Sequence, residues 1–225
     1  MERIPELLSE TKLFKDIPIE VIQEYILPKG TLNTFAKDSC LFWTKDRVDT
    51  IKIVISGKVN IIYYYADGGY SLASTVLPLR VLALDLIATR TRISPYHAIA
   101  AETTEIFSFP ADDILKPSDI PENFRQIMLN QLLVMLSNLH LQKEKRLMVL
   151  SKNGLRDRIM TYLSLQAQQK STYTFSIPFT REEMAAYLCV NRSALSHELS
   201  LMRKEGCIDF SKNRFTLLKY EQVEI

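Results

Sequence analysis

The sequence is poor in the groups that metal sensors and many enzymes concentrate. It holds three cysteines, Cys40, Cys189 and Cys207, widely spread along 225 residues. A cysteine-ligated iron–sulfur cluster needs four that come together, so this chemistry is excluded. The histidines are also three, His97, His140 and His197, and they fall in different zones. A cupin-type metal centre needs several histidines and a carboxylate converging, which this scatter does not offer. His97, His140 and Cys40 therefore read as structural residues, and no metal or other cofactor is expected. Neither a Gly-rich phosphate loop nor a nucleophile motif is present, which argues against an enzyme. No run approaches the roughly 20 apolar residues that a membrane span needs, so no membrane partner is expected. "MERIPELLSETKLF" at the start has acidic residues and no apolar core, unlike a targeting segment. An odd number of unpaired cysteines points to a reducing compartment, the cytoplasm. Net charge is only +2, so any surface for a polyanion must be a local patch.

What is present divides into three textures. Residues 1–27 read as short helical pieces, with Ile19, Ile22 and Ile26 on one face. From about Gly30 to Pro110, short β-branched and aromatic runs alternate with turn signals. "TIKIVISGKVNIIYYYADGGYSLASTVL" reads as two strands about a turn at Asp67-Gly68-Gly69, with a further break at Ser56-Gly57. "YHAIAAETTEIFSFP" adds two more. Short antiparallel strands at this spacing predict a small barrel or sandwich.

After Pro121 the chain becomes helical. About 30 residues from Glu122 carry no Gly or Pro. Met128, Leu132, Met135 and Leu139 step by four, three and four, as a coiled-coil seam does, and are expected at a homodimer interface. Leu129, Leu133 and Leu136 form a second stripe, so one stripe packs on the strand domain and the other on a second copy. A second helix follows from Leu155, with Leu155, Ile159, Tyr162 and Leu163 inward. "KSTYTFSIPF" reads as a linker or short hairpin.

"TREEMAAYLCVNRSALSHELSLMRKEGCI" then carries two short helices. Thr180 and Glu183 make a capping box, and Asn191 caps the second helix. Met184, Ala185 and Leu188 face Leu195, Leu199 and Met202 across a turn at Cys189-Val190. Gly206 closes the helix. "CIDFSKNRFTLL" supplies two strands about a turn bearing Lys212 and Arg214. This is the grammar of a helix-turn-helix with a wing. The outer face of the second helix carries Arg192, Ser193, Ser196 and His197. In this motif those positions meet base edges in the major groove, where Arg192 can fork onto guanine. Thr180, Arg181, Lys212 and Arg214 are placed for phosphates.

These residues resemble the Crp/Fnr family of bacterial transcription regulators, and the order of the three zones follows that family throughout. The resemblance implies an α+β fold with an N-terminal antiparallel, jelly-roll-like β-roll of the cyclic-nucleotide-binding type (1–120). A long dimerisation helix (121–151) and a C-terminal winged helix-turn-helix (152–225) follow. It implies a homodimer on a palindromic operator of double-stranded DNA, with RNA polymerase as a further partner. The alternative is a protein-interaction module of the same fold that does not touch DNA.

Departures from the family pattern are specific. His197 stands where Arg is usual, and Ser193 where many members have Glu. Cys189 holds a turn position usually given to Gly. Leu82-Ala83-Leu84 replace the Gly-Glu of the nucleotide cassette, and Ser94-Pro95 replace its Arg-Ser pair. This argues against cyclic nucleotide and leaves the effector undefined. Arg90 and Arg92 are expected to be solvated.

Overall fold

In the computed structural model, residues 3–65 and 68–218 are described. The chain forms two compact units, 1–138 and 139–225. Among the described residues no helix is long and apolar enough to cross a membrane.

The first unit begins with α1 (Ile4–Ser9) and α2 (Ile19–Val21). One π turn (Ile22–Ile26) and one 3-10 turn (Leu27–Lys29) continue α2. Ile22 and Ile26 are fully buried, and Ile19 is half-buried at the edge of the same face. Eight strands follow: β1 (Thr31–Phe35), β2 (Cys40–Phe42), β3 (Thr50–Ser56), β4 (Val59–Tyr64), β5 (Tyr70–Val76), β6 (Val81–Leu82), β7 (His97–Ala100) and β8 (Thr104–Pro110). They make two antiparallel sheets, ordered β1-β8-β3-β6 and β2-β7-β4-β5. Val54, Leu82 and Ile106 of one sheet share a buried cluster with Phe42, Val59, Ile61 and Ala98 of the other.

The expected break at Ser56-Gly57 is the turn that takes the chain from β3 in one sheet to β4 in the other. Gly57 has φ +78°, and any Cβ there would collide with Thr104 and the carbonyl of Thr103. Of the turn expected at Asp67-Gly68-Gly69, Asp67 lies outside the described residues, and Gly68 has φ +85°. Two short helices, α3 (Leu84–Ile87) and α4 (Asp112–Leu115), complete the roll.

Leu82, Ala83 and Leu84 are all buried, so the substituted cassette has become part of the apolar interior. Ser94 is buried too, its hydroxyl donating to the Tyr96 carbonyl at 2.7 Å. The solvated state expected of Arg92 is overturned. It is buried, donating to Asp49 at 3.2 Å and to Asp112. A guanidinium can leave water where two carboxylates replace its hydration. Arg90 is exposed.

The long helix α5 (Glu122–Leu150) follows. Burial separates its two leucine-rich stripes only near the start of the helix. Met128 is fully buried and Leu132 is 8% exposed, while Met135 and Leu139 are half-buried, as are Leu129 and Leu136. Met128 and Leu132 are thus packed inside the protomer. The apolar residues that α5 leaves most exposed are Leu133 (62%), Val134, Leu141 and Leu147. Leu129, Leu133, Leu136, His140 and Leu147 keep heptad spacing, with Leu129 and Leu136 half-buried and the other three exposed.

The second unit contains α6 (Leu155–Lys170), β9 (Thr174–Ser176), α7 (Arg181–Tyr187), α8 (Arg192–Lys204), β10 (Ile208–Ser211) and β11 (Arg214–Leu217). The segment expected as a linker or hairpin is a true strand, because β9 pairs with β11 in the sheet β10-β11-β9. Its alternation puts Phe175 inward between Thr174 and Ser176. One core joins Val149, Ile159, Leu163, Phe175, Met184, Leu188, Leu195, Leu199, Met202 and Phe215.

Candidate nucleic-acid interface

Local chemistry fixes both ends of α7. The Thr180 hydroxyl accepts from the Glu183 backbone N–H at 3.2 Å, and the Thr180 N–H donates to the Glu183 carboxylate at 2.7 Å. Two otherwise unpaired donors are thereby satisfied. Ala185 is buried where α7 meets α8. The turn then needs one left-handed residue, and Cys189 supplies it at φ +56°. For a residue with a Cβ this conformation costs on the order of 1 kcal/mol. Asn191 Oδ1 accepts from the Ala194 N–H at 2.7 Å and starts α8. Leu195, Leu199 and Met202 face the core. Arg192, Ser193, Ser196 and His197 are all exposed on the outer side.

Several arginines brace this pair of helices, three of them with no local pattern to mark the role. Arg156 of α6 donates to Glu198 and Glu205, both at 2.6 Å, tying α8 down. Arg146 of α5 donates to the Tyr187 carbonyl at 3.2 Å and lies over the Tyr187 ring. Arg158 donates to the Leu188 carbonyl at 3.4 Å. Together Arg146 and Arg158 cover carbonyls at the C-terminal end of α7, which need donors and carry partial negative charge. The need for a donor there is general, but the residue that meets it comes from 30 or more positions away.

Arg181 has a second occupation besides the phosphate contact expected of it. Its guanidinium lies 5.1 Å from the Phe210 ring and 5.6 Å from the Phe215 ring, and donates to the Lys212 carbonyl at 3.1 Å. Burial, and then the neighbouring Arg192 charge, hold its pKa below the ordinary arginine value. It therefore ties α7 to the wing. Lys212 (φ +52°) and Arg214 are exposed at the wing turn. Arg203 pairs with Asp209 at 2.8 Å over the same Phe210 ring. Thr180 is exposed beside them. Arg192 makes a loose pair with Glu182 at 3.5 Å, with both side chains mostly in solvent. Thus the eight residues expected to meet DNA lie on α7, α8 and the wing of one unit. Of the four expected at a dimer seam, Met128 and Leu132 are buried within the protomer, and Met135 and Leu139 are half-buried.

An antiparallel roll, a long helix and a winged helix-turn-helix with an exposed second helix define the architecture of a transcription regulator. The sequence matches the Crp-like helix-turn-helix domain over residues 157–224 and the cyclic nucleotide-binding domain over residues 32–116. It is 21% identical over 192 residues to the transcriptional activator protein FnrL of Cereibacter sphaeroides, covering 79% of this chain and 72% of that one. The fold is shared with FixK2 from Bradyrhizobium japonicum (TM-score 0.55, 18% identity, 84% of this chain and 93% of that one). It is shared too with the Thermus thermophilus Catabolite Activator Protein (TM-score 0.52, 18% identity, 92% and 93%). The chain belongs to the Crp/Fnr family of transcription regulators.

Proposed function

We propose that the protein is a cytoplasmic homodimer that binds a palindromic operator and controls transcription from it. One observation carries this reading. The outer side of α8 is free of core contacts, and it holds a forked cation, two short hydroxyls and an imidazole. Arg192 reads guanine through N7 and O6, leaving Glu182 to do so. Ser193 and Ser196 allow close approach of the helix, and His197 reads one turn further on. Thr180, Lys212 and Arg214 hold phosphates and fix the register. Arg181 serves this set chiefly by fixing the wing against α7, with its remaining N–H groups turned to the backbone of the duplex.

The three parts divide the work: roll 1–120 as sensor or degenerate sensor, helix 121–151 as dimer element, and 152–225 as reader. The outer side of α5 is the natural place for the second copy, through Leu133, Leu136 and Leu147, in place of the inner stripe. RNA polymerase is the downstream partner of such a dimer.

Fluorescence anisotropy with an operator fragment tests this reading. Wild-type affinity should fall steeply with salt as counterions return to the phosphates. Arg192→Ala should cost about 1–3 kcal/mol and relax preference at one base pair. Wild-type affinity and selectivity in that variant would rule out the groove assignment.

A further inference from the structure

The roll contains a cation that its own structure leaves without a counter-charge. Lys52 lies in β3, on the side that Val54 shares with the core between the sheets, while Ile51 and Ile53 are fully buried on the other side. Its register neighbours are Ser108 and Leu82. The side chain is half-buried, and its ammonium donates to Thr50 Oγ1 at 2.8 Å. Among the described residues it forms no ion pair. The surrounding carboxylates are engaged elsewhere. Asp49 accepts from Arg47 and Arg92, Asp112 from Arg92 and Lys116, and Asp46 from the Trp43 backbone N–H. Arg47, Arg92 and Lys116 pair with Asp49 and Asp112, and no carboxylate among the described residues comes within ion-pair range of Lys52. A lysine removed from water without a partner is costly to the fold, so its retention at such a place asks for a reason.

Lys52 lines an open cavity of about 430 Å³. Leu41, Phe42 and Val48 are its apolar lining, and Thr50 and Lys52 lie with them. The Arg47–Asp49 pair and Asp46 complete the lining. The volume is that of a small-molecule site, here with a mixed polar and apolar lining. None of the lining residues belongs to the 82–95 stretch that stands in place of the nucleotide cassette.

We propose that this cavity binds an organic monocarboxylate, its carboxylate on Lys52 and Thr50 and its hydrocarbon part against Leu41, Phe42 and Val48. Of the two cations in the lining, Arg47 is already paired with Asp49, and Lys52 is the one open to a carboxylate. A phosphate dianion would bring a second charge toward Asp46 and Asp49 with nothing to meet it. Burial already lowers the Lys52 pKa, and an incoming carboxylate would reverse that cost. The site stands on the roll alone and does not require the DNA-binding reading to be right.

The full-length protein is titrated in a calorimeter with benzoate and octanoate, and with benzyl alcohol and 1-octanol as uncharged counterparts. The acids should give a saturable heat of binding, and the alcohols none at matched concentration. Lys52→Met keeps the stem and removes the charge, and should weaken acid binding about tenfold or more. Lys52→Arg should keep most of it. Circular dichroism and thermal unfolding should show Lys52→Met at least as stable as wild type, because no ammonium is then buried. Absence of any saturable response to both acids up to about 10 mM, an affinity too weak for a specific site, would overturn the proposal. Equal affinity in wild type and Lys52→Met would overturn it equally. DNA affinity measured on the same sample is a separate readout, so failure there leaves this result standing.

Discussion

Replacing Arg181 separates two roles that a helix-turn-helix arginine can play. If it only held a phosphate, Arg181→Ala would weaken DNA binding and leave the free protein unchanged. The structure gives it contacts that exist without DNA: two aromatic rings, Phe210 and Phe215, and the Lys212 carbonyl. Cation–π contacts at partly exposed sites contribute about 0.5–1 kcal/mol each. A hydrogen bond from a charged donor to a carbonyl adds about 1.5 kcal/mol, less where water can compete. The sum is about 2.5–3.5 kcal/mol, and repacking of the rings and water at the carbonyl reduce the net loss to about 2 kcal/mol. Trp43 lies in the other unit and cannot report this loss, so hydrogen exchange is the suitable assay. Amides in α7, α8 and the wing strands of Arg181→Ala should exchange about 30-fold faster when exchange follows opening of that unit, since 1.4 kcal/mol is tenfold. Exchange in β3 and β8 should not change. Arg181→Lys keeps the charge but not the planar stack, and should recover only part of the protection. Unaltered exchange in Arg181→Ala, with DNA affinity reduced, would refute the bracing role and return Arg181 to a plain phosphate contact.

Other outcomes follow from the same geometry. Glu182→Gln should raise DNA affinity a few-fold in anisotropy titrations, since Arg192 no longer has to leave a carboxylate; an unchanged affinity would mean the pair is immaterial. Cys189→Gly should stabilise the second unit by about 1 kcal/mol in denaturant titration, because glycine tolerates the left-handed turn. Leu133→Glu should convert dimer to monomer in sedimentation with the roll intact, whereas Met128→Ala should destabilise the roll by about 2–5 kcal/mol. Dimer loss in the Met128 variant alone, with no loss of stability, would restore the inner seam. Asp49 and Asp112 are held below the usual carboxylate range, Asp49 chiefly by Arg47 and Asp112 chiefly by Lys116, with Arg92 assisting both. Their contribution is present above their ordinary pKa near about 4 and is lost as pH falls through the depressed values. Arg92→Met should therefore flatten the acid limb of the roll's stability curve, as followed by Trp43 fluorescence.

What was legible in the residues was the short-range part. The Thr180–Glu183 box, the Asn191 cap and Gly206 (φ +70°) all sit where their side-chain chemistry demands, because each partner is within four positions. The inner faces of α7 and α8 were legible for the same reason, since period 3.6 fixes which side chains share a side. The α5 stripes were visible but not their assignment. Met128-Leu132-Met135 and Leu129-Leu133-Leu136 have the same spacing, and only the packing of the rest of the protomer says which is covered. The burial of Arg92 depended on Asp49 and Asp112, 43 and 20 positions away. The rings under Arg181 and the strand beside β9 likewise come from the end of the chain, beyond the reach of local pattern.

Selection of binding sites from random duplex DNA by the purified protein tests the central claim most directly. The account predicts a two-fold symmetric sequence with half-sites about 34 Å apart, one turn of the duplex. Arg192→Ala should blur a guanine in each half. Recovery of no enriched sequence, or of one without symmetry that survives the loss of Arg192, would contradict it.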